Sequence, residues 1–433
     1  MSKIADIKAY EILDSRGNPT VACKVRLEDG SNKIGYVPSG ASTGQYEALE
    51  LRDNDEDRYG GKGVQKAVET INTAIKKEIV GMDADNLAEI DKKMIDLDGT
   101  PNKTKLGGNS TLAVSMACAK SAAVSNNLEL YEYLSKLIGI RHEKYKIPIP
   151  LMNILNGGKH AVGSTDFQEF MIVPVAFPSL ARALQAGTEI YHSLAKILDE
   201  RSYQPLVGDE GGFAPSLFSN EQAMELLIMS IKDAGYTPGE DVFIALDPAA
   251  SRFYSEGIYQ LHRENRSLTT EELVQFYANW VEKFPIVSIE DGLDENDWDG
   301  WRELTSRIGD HIETIGDDLY ATNKELLKRG IEHNSSTGIL IKPNQIGTLS
   351  EAVETIRTAI QAGFKIIISH RSGETEDHFI ADLAVACGCG AIKTGAPARS
   401  ERTAKYNRLL MIESDLGERS EYSKWEALDA SNN

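Results

Sequence analysis

Cysteine is scarce in this chain, with four among 433 residues, at positions 23, 118, 387 and 389. So few cannot build a disulfide framework, and their spacing fits no metal-binding pattern, so a reducing compartment suits them. Long apolar runs are also missing. The longest stretches, FMIVPVAF and FKIII, fall far short of the roughly 20 residues a bilayer requires. The opening MSKIADIKAY carries no apolar signal core, which predicts a cytoplasmic protein without a membrane span. Positive charge is in deficit. Lys and Arg number 46 against 66 Asp and Glu, a formal charge of −20, and a surface of that sign argues against general nucleic-acid binding. No GxGxxG follows a strand pattern and no GxxxxGK[ST] or HExxH occurs, leaving dinucleotide, Walker-type and zincin sites unsupported.

What remains is an ordinary folded composition, 41% apolar and 26% charged, with material for a sizeable core. Residues 1 to about 50 alternate apolar and polar in TVACKVRLE and NKIGYV, which predicts a small antiparallel sheet. Helical patterns follow in VQKAVETINTAIKKEIV and NLAEIDKKMIDL, then in TLAVSMACAKSAAVS after Ser110 as N-cap, and in LELYEYLSKLIG up to Gly139. The polar RHEKYK and the prolines of IPIP read as a linker. The expected division is an α+β domain over 1–140 and a larger α/β domain over 141–433. In the second part short apolar runs alternate with amphipathic stretches, as in βα units. The candidate strands are LMNIL, FMIVP, VFIALD, IVSIED, ETIGDD, GILIKP, KIIISH and AIKTG.

Nearly every one of these runs stops at an ionisable residue: Asp247, Glu290 with Asp291, Asp317 with Asp318, Lys342, His370 with Arg371, and Lys393. Parallel strands present their C-terminal ends to one face, so these groups converge. Singly, an Asp after a strand is commonly a turn or cap residue, and a Lys there is commonly solvated. The series carries the inference. Asp247, Glu290 and Asp317 would form a carboxylate cluster whose repulsion a hard divalent cation resolves, and all-oxygen ligands point to Mg²⁺. Lys342, His370, Arg371 and Lys393 would face it, an arrangement suited to an anionic substrate that loses a proton from carbon. Arg371 followed by Ser372 offers a fork and a hydroxyl to a phosphate or carboxylate. GDEGGFAP at 208–215 places Asp209 and Glu210 between glycines, either as a plain glycine-rich turn or as backbone that approaches a ligand. SGASTGQYE at 39–47 is a small hydroxyl-rich loop of the lid type.

Together these motifs resemble the enolase family. The likeness runs from DSRGNPT through SGASTG, NGGKHA, QEFM, GDEGGFAP, ALDPAAS and SIEDGL, then GDDL, IKPNQIGT, SHRSGETED and IKTGAPARSERTAKYNRLL. It covers essentially the full length. The resemblance implies a small N-terminal α+β domain and a modified eight-stranded α/β (TIM-like) barrel beginning ββαα. It implies reversible dehydration of 2-phospho-D-glycerate to phosphoenolpyruvate with two Mg²⁺. Asp247, Glu290 and Asp317 would hold the first ion, and Ser42 would help hold the second. Lys342 would be the base and Glu210 the acid; Glu169 and His160 would support them at the wall. Arg371 and Ser372 would bind the phosphate beside His370, and Lys393 the substrate carboxylate. On this basis Lys342 should have a depressed pKa and Glu210 should hold a proton. A small phosphorylated substrate and a homo-oligomer, a dimer or an octamer of dimers, also follow. The alternative is a catalytically silent or moonlighting surface-binding protein of the same fold. Pro343 stands after Lys342 where many members have another apolar residue, and it biases Lys342 toward extended backbone.

Overall fold

A computed structural model describes residues 2–40, 44–161 and 163–425. The alternating N-terminal segments form strands Ile4–Leu13, Pro19–Leu27 and Asn32–Tyr36, paired antiparallel in sequence order. Val21, Cys23, Val25 and Leu27 are buried where the sheet packs on helix Gly108–Ser125. That helix begins before the predicted cap. Gly107, at φ 88°, takes the N-cap place and its carbonyl accepts from Ser110 N and Thr111 N. The Ser110 hydroxyl instead donates to Ala67 O at 3.3 Å, so a tertiary partner replaces the local one. Helix Leu130–Ile138 stops where expected, at Gly139 with φ 90°, a left-handed cap that glycine adopts without strain.

All eight candidate strands enter one closed barrel. They are Ile149–Asn156, Glu169–Pro174, Val242–Asp247, Ile286–Glu290, Glu313–Gly316, Gly338–Ile341, Lys365–Ser369 and Gly390–Lys393, each beside its chain neighbour. The second runs antiparallel to both of its neighbours and the others pair parallel. Two strands therefore precede helices Leu180–Glu200 and Asn220–Asp233, the expected ββαα opening. Ser179 and Ser219 start those helices by accepting from Arg182 N and Gln222 N. A meander of Tyr254–Ser255, Ile258–Leu261 and Arg266–Leu268 was not foreseen; strands this short show too little periodicity to read.

The barrel interior explains where the charges go. Met171, Ala245, Ile315, Leu340 and Ala391 belong to the apolar cluster that fills it. Side chains alternate across a strand, so the next inward residue along four of those strands is Asp247, Asp317, Lys342 and Lys393. On the antiparallel second strand the same step runs backwards, from Met171 to Glu169. The pairing of the fourth strand shifts register between Ile286 and Ser288, and Glu290 closes that strand. An apolar floor thus turns into an ionic mouth within one alternation.

Candidate active site

The mouth is a narrow polar pocket lined by His160, Glu169, Glu210, Asp247, Asp291, Asp317, Asp318, Lys342, His370, Arg371, Ser372 and Lys393, among others. Lys393 is the hub. Its buried ammonium lies 2.8 Å from Glu290 Oε2, 2.9 Å from Asp247 Oδ2 and 3.1 Å from Glu169 Oε1. Burial works against the charge on Lys393, but Asp247, Glu169 and Glu290 outweigh it and hold the lysine well above its ordinary pKa. Glu290 is pushed well above the usual carboxylate range, by burial first and then by Asp247. Its Oε1 is buried without a hydrogen-bond partner, as is Glu169 Oε2. Buried carboxylate oxygens without a partner suit a hard cation.

Asp317 stands with a different cation. Its Oδ2 pairs with Lys342 Nζ, and its Oδ1 accepts from Gln345 Nε2 at 2.9 Å. Lys342 has the extended backbone foreseen for it, φ −126° and ψ 100°, and Pro343 opens the helical turn Pro343–Ile346. The expected depression of Lys342 is not what the structure shows. Burial lowers its pKa, but the adjoining Asp317 carboxylate overrides burial and raises it to about 12. Among the described residues, two groups of donors have their ligand atoms within 4.8 Å of one another, His160 with Glu169 and Glu210, and Asp291 with Asp317 and Asp318. The first, wholly buried, can hold a metal ion. Of the expected trio, Asp247 and Glu290 both contact Lys393, and Asp317 pairs with Lys342.

Across the pocket, His160 Nδ1 is 3.6 Å from Glu210 Oε1 and 3.9 Å from Glu169 Oε1. Glu210 Oε2 accepts from Asn153 Nδ2 at 3.0 Å and lies 3.5 Å from His370 Nε2. The His370 tautomer follows from its other side. Arg402 Nη1 donates to His370 Nδ1 at 2.6 Å, so the ring proton is on Nε2, toward Glu210. Burial, opposed by Glu210 and aided by Arg402, lowers His370 to about 4. Glu210 also departs from expectation. Burial opposes its ionisation, yet His370, His160 and Arg402 outweigh burial and keep it well below the usual carboxylate range. Glu169 is the partner pushed well above that range, by burial and then by Glu210.

Arg371 is engaged by the N-terminal part of the chain. Its Nη1 and Nη2 donate to Glu47 Oε2 and Oε1 at 2.9 and 3.1 Å, and Nη1 to Asn344 Oδ1 at 3.1 Å. Ser39 and Gly373 exchange backbone hydrogen bonds of 2.7 and 2.9 Å. A Cβ on Gly373 would stand 2.6 to 2.7 Å from Arg16, Asp14 and Ser39 O, so only glycine lets the loops meet. Ser372 completes the expected pair at this wall. Ser42 lies outside the described residues.

Sequence reasoning passed over Glu47, Asn153 and Arg402. Arg402 is fully buried and also donates to Arg371 O and Ser372 O, both at 2.6 Å. It sits on helix Ser400–Leu416, not at a strand end, so the strand-end rule could not find it. Its signal was the SERTAK block of the resemblance. Among the described residues no helix is long and apolar enough to cross a membrane.

Comparison with known families agrees along nearly the whole length. Residues 4–134 match the model described as "Enolase, N-terminal domain", and residues 144–430 the model described as "Enolase, C-terminal TIM barrel domain". The sheet-and-helix N-terminal part, the ββαα barrel, the ionic mouth and these two matches place the chain among the lyases of the enolase family.

Proposed function

We propose that the protein interconverts 2-phospho-D-glycerate and phosphoenolpyruvate. The observation that carries this reading is the pocket itself. Lys342, Lys393 and Arg371 enter a single cavity with Glu169, Glu210, Asp247 and Asp317, and Glu290 pairs with Lys393 beside it. Such a cavity binds a small polyanion and exchanges its protons. Asp247, Glu290 and Asp317 are assigned the first Mg²⁺, and Ser42 a share of the second. All-carboxylate donors, each with a lysine-held oxygen, suit that hard ion better than zinc. Bound Mg²⁺ supplies positive charge for a substrate carboxylate that gains charge when the adjacent carbon is deprotonated.

The chain's own residues do the rest. Lys342 removes the C2 proton. Burial, Arg371 and Lys393 all press it toward the neutral form, and only carboxylates such as Asp317 hold it charged; neutralising Asp317 frees it to act as a base. Lys393 takes the substrate carboxylate. Arg371 and Ser372 take the phosphate, with Asn344 fixing the guanidinium. Glu210 assists departure of the C3 hydroxyl, with Glu169 beside it across His160. His160 and His370 hold the pair in register. Domain limits of 1–140 and 141–433, and a homo-oligomeric assembly, belong to the same reading.

The test is absorbance growth from phosphoenolpyruvate when 2-phosphoglycerate is supplied with and without Mg²⁺. Growth only with Mg²⁺ is expected; none in its presence would overturn the proposal. A second measurement isolates the base. Lys342→Ala should abolish exchange of the C2 proton with solvent, and unimpaired exchange would refute the assignment.

A further inference from the structure

Helix Ser400–Leu416 buries two cations one turn apart, Arg402 and Lys405. The nitrogens Nη1 and Nη2 of Arg402 carry two N–H groups each, and four acceptors surround them. Nη1 donates to His370 Nδ1 and to Arg371 O, both at 2.6 Å. Nη2 donates to Ser372 O at 2.6 Å and to Asp209 O at 3.2 Å. Among the described residues Nε has no hydrogen-bond partner, and Glu401 Oε1 stands 3.6 Å from it. A guanidinium buried without a hydrogen-bonded carboxylate is costly to fold.

Its acceptors come from two segments far apart in sequence. Asp209 precedes Glu210, whereas His370, Arg371 and Ser372 follow the seventh barrel strand. One planar fork therefore spans the acid side and the phosphate side of the pocket. The packing around it is close. A Cβ on Gly395 would stand 2.7 Å from Arg402 Cδ and 2.9 Å from Glu210 O. Ala396 N donates to Glu210 O at 3.0 Å, and Arg399 Nη1 to Gly208 O at 2.9 Å, so the approach to the helix grips the same 208–210 stretch.

We propose that Arg402 is a positioning residue, fixing His370 as an Nε2–H donor aimed at Glu210 and tying Glu210 to the phosphate-binding pair. The inference rests on the lyase reading given above. Arginine offers donors only, so Nδ1 must accept, and the imidazole cannot turn over without breaking that bond. Nε2 then lies 3.5 Å from Glu210 Oε2. Lysine would keep the charge and lose the fork, because one ammonium cannot reach His370 and three carbonyls on two segments. Lys405 supplies the contrast within the same helix. It donates to Glu374 Oε2 at 2.8 Å and to Thr375 O and Glu401 O, both at 2.6 Å. It steadies the far end of the loop and makes none of the bonds that orient His370.

The test combines imidazole nitrogen-15 spectra with steady-state kinetics on the full chain. The His370 signal, identified by its absence from His370→Asn, should show a proton on Nε2 alone. In Arg402→Lys both tautomers should appear, and kcat should fall about 100-fold. Lys405→Met should lower the melting temperature yet leave the His370 proton on Nε2, which separates orientation from stability. A wild-type proton on Nδ1, an Arg402→Lys spectrum or kcat like that of wild type, or the same tautomer change in Lys405→Met would each overturn the proposal. The wild-type spectrum decides the orientation even where a variant folds poorly. No turnover of 2-phosphoglycerate by the wild-type chain would overturn the lyase reading and not the orientation, which the spectrum tests by itself.

Discussion

His370 shows how one imidazole couples the pocket to the stability of the whole chain. Its folded value of about 4 lies below the ordinary 6.5. Between those pH values the unfolded chain takes up a proton that the folded chain refuses. Stability from this group is therefore complete above pH 6.5 and is lost as pH falls toward 4, by about 3 kcal/mol. Urea melts of wild type and His370→Asn across that window should show the steeper loss in wild type; parallel slopes would disprove the coupling. Lys393 makes the complementary point. One ammonium among three carboxylates partly neutralises a cluster that would otherwise repel itself, so folding does not wait on a metal. Lys393→Met removes that cation from a buried site, and a loss of about 3 kcal/mol is expected in metal-free buffer. Added Mg²⁺ should restore part of the melting temperature, and a melt insensitive to Mg²⁺ would contradict the ligand assignment.

At the scale of elements, the loop that ends at Glu47 already presents Arg371 with a two-pronged oxyanion. Under the proposed role of Arg371, a substrate phosphate has to replace that carboxylate. Glu47→Gln weakens the internal rival, and the affinity for inorganic phosphate should rise roughly tenfold, measurable by calorimetry; an unchanged affinity would refute the exchange. The same elements show what was legible beforehand. All eight barrel strands and six of their terminal charges could be read, because buried strands leave continuous apolar runs and the alternation stops where water or ligand begins. Glu169 was not readable that way. Its strand runs antiparallel, so its functional residue stands at the beginning of the run, and only the resemblance pointed to it. The protonation of Lys342 and Glu210 was also illegible. Each depends on side chains from other segments, Asp317 at the end of the adjacent strand for Lys342 and His370, His160 and Arg402 for Glu210, whose closeness no spacing reveals.

For the molecule as a whole, the N-terminal part is bolted to the barrel by buried polar contacts. Lys120 Nζ sits 2.5 Å from Asp377 Oδ2, with side chains 11% and 4% exposed, and Thr111 Oγ1 donates to Gly347 O at 2.6 Å. Asp91 accepts from Ser115 Oγ and Ser350 N, both at 2.9 Å. The two parts should therefore unfold together. Lys120→Met leaves Asp377 buried and unpaired, and a loss of about 3 kcal/mol is expected. The four tryptophans, at 280, 298, 301 and 425, report only on the barrel, so their fluorescence can be compared with hydrogen exchange in the sheet of residues 4–36. Coincident midpoints are expected in both proteins; a sheet that opens first would disprove the coupling. The reversed second strand has a further consequence, for the order of folding. Its partner is separated from it only by residues 157–168, whereas the later neighbours are linked through 291–312, 317–337, 342–364 and 370–389. Loop closure costs less when the loop is short, and contacts near in sequence form sooner. The strand that breaks the barrel's parallel order thus gives it a hairpin, a local seed from which the longer crossovers can be added one strand at a time.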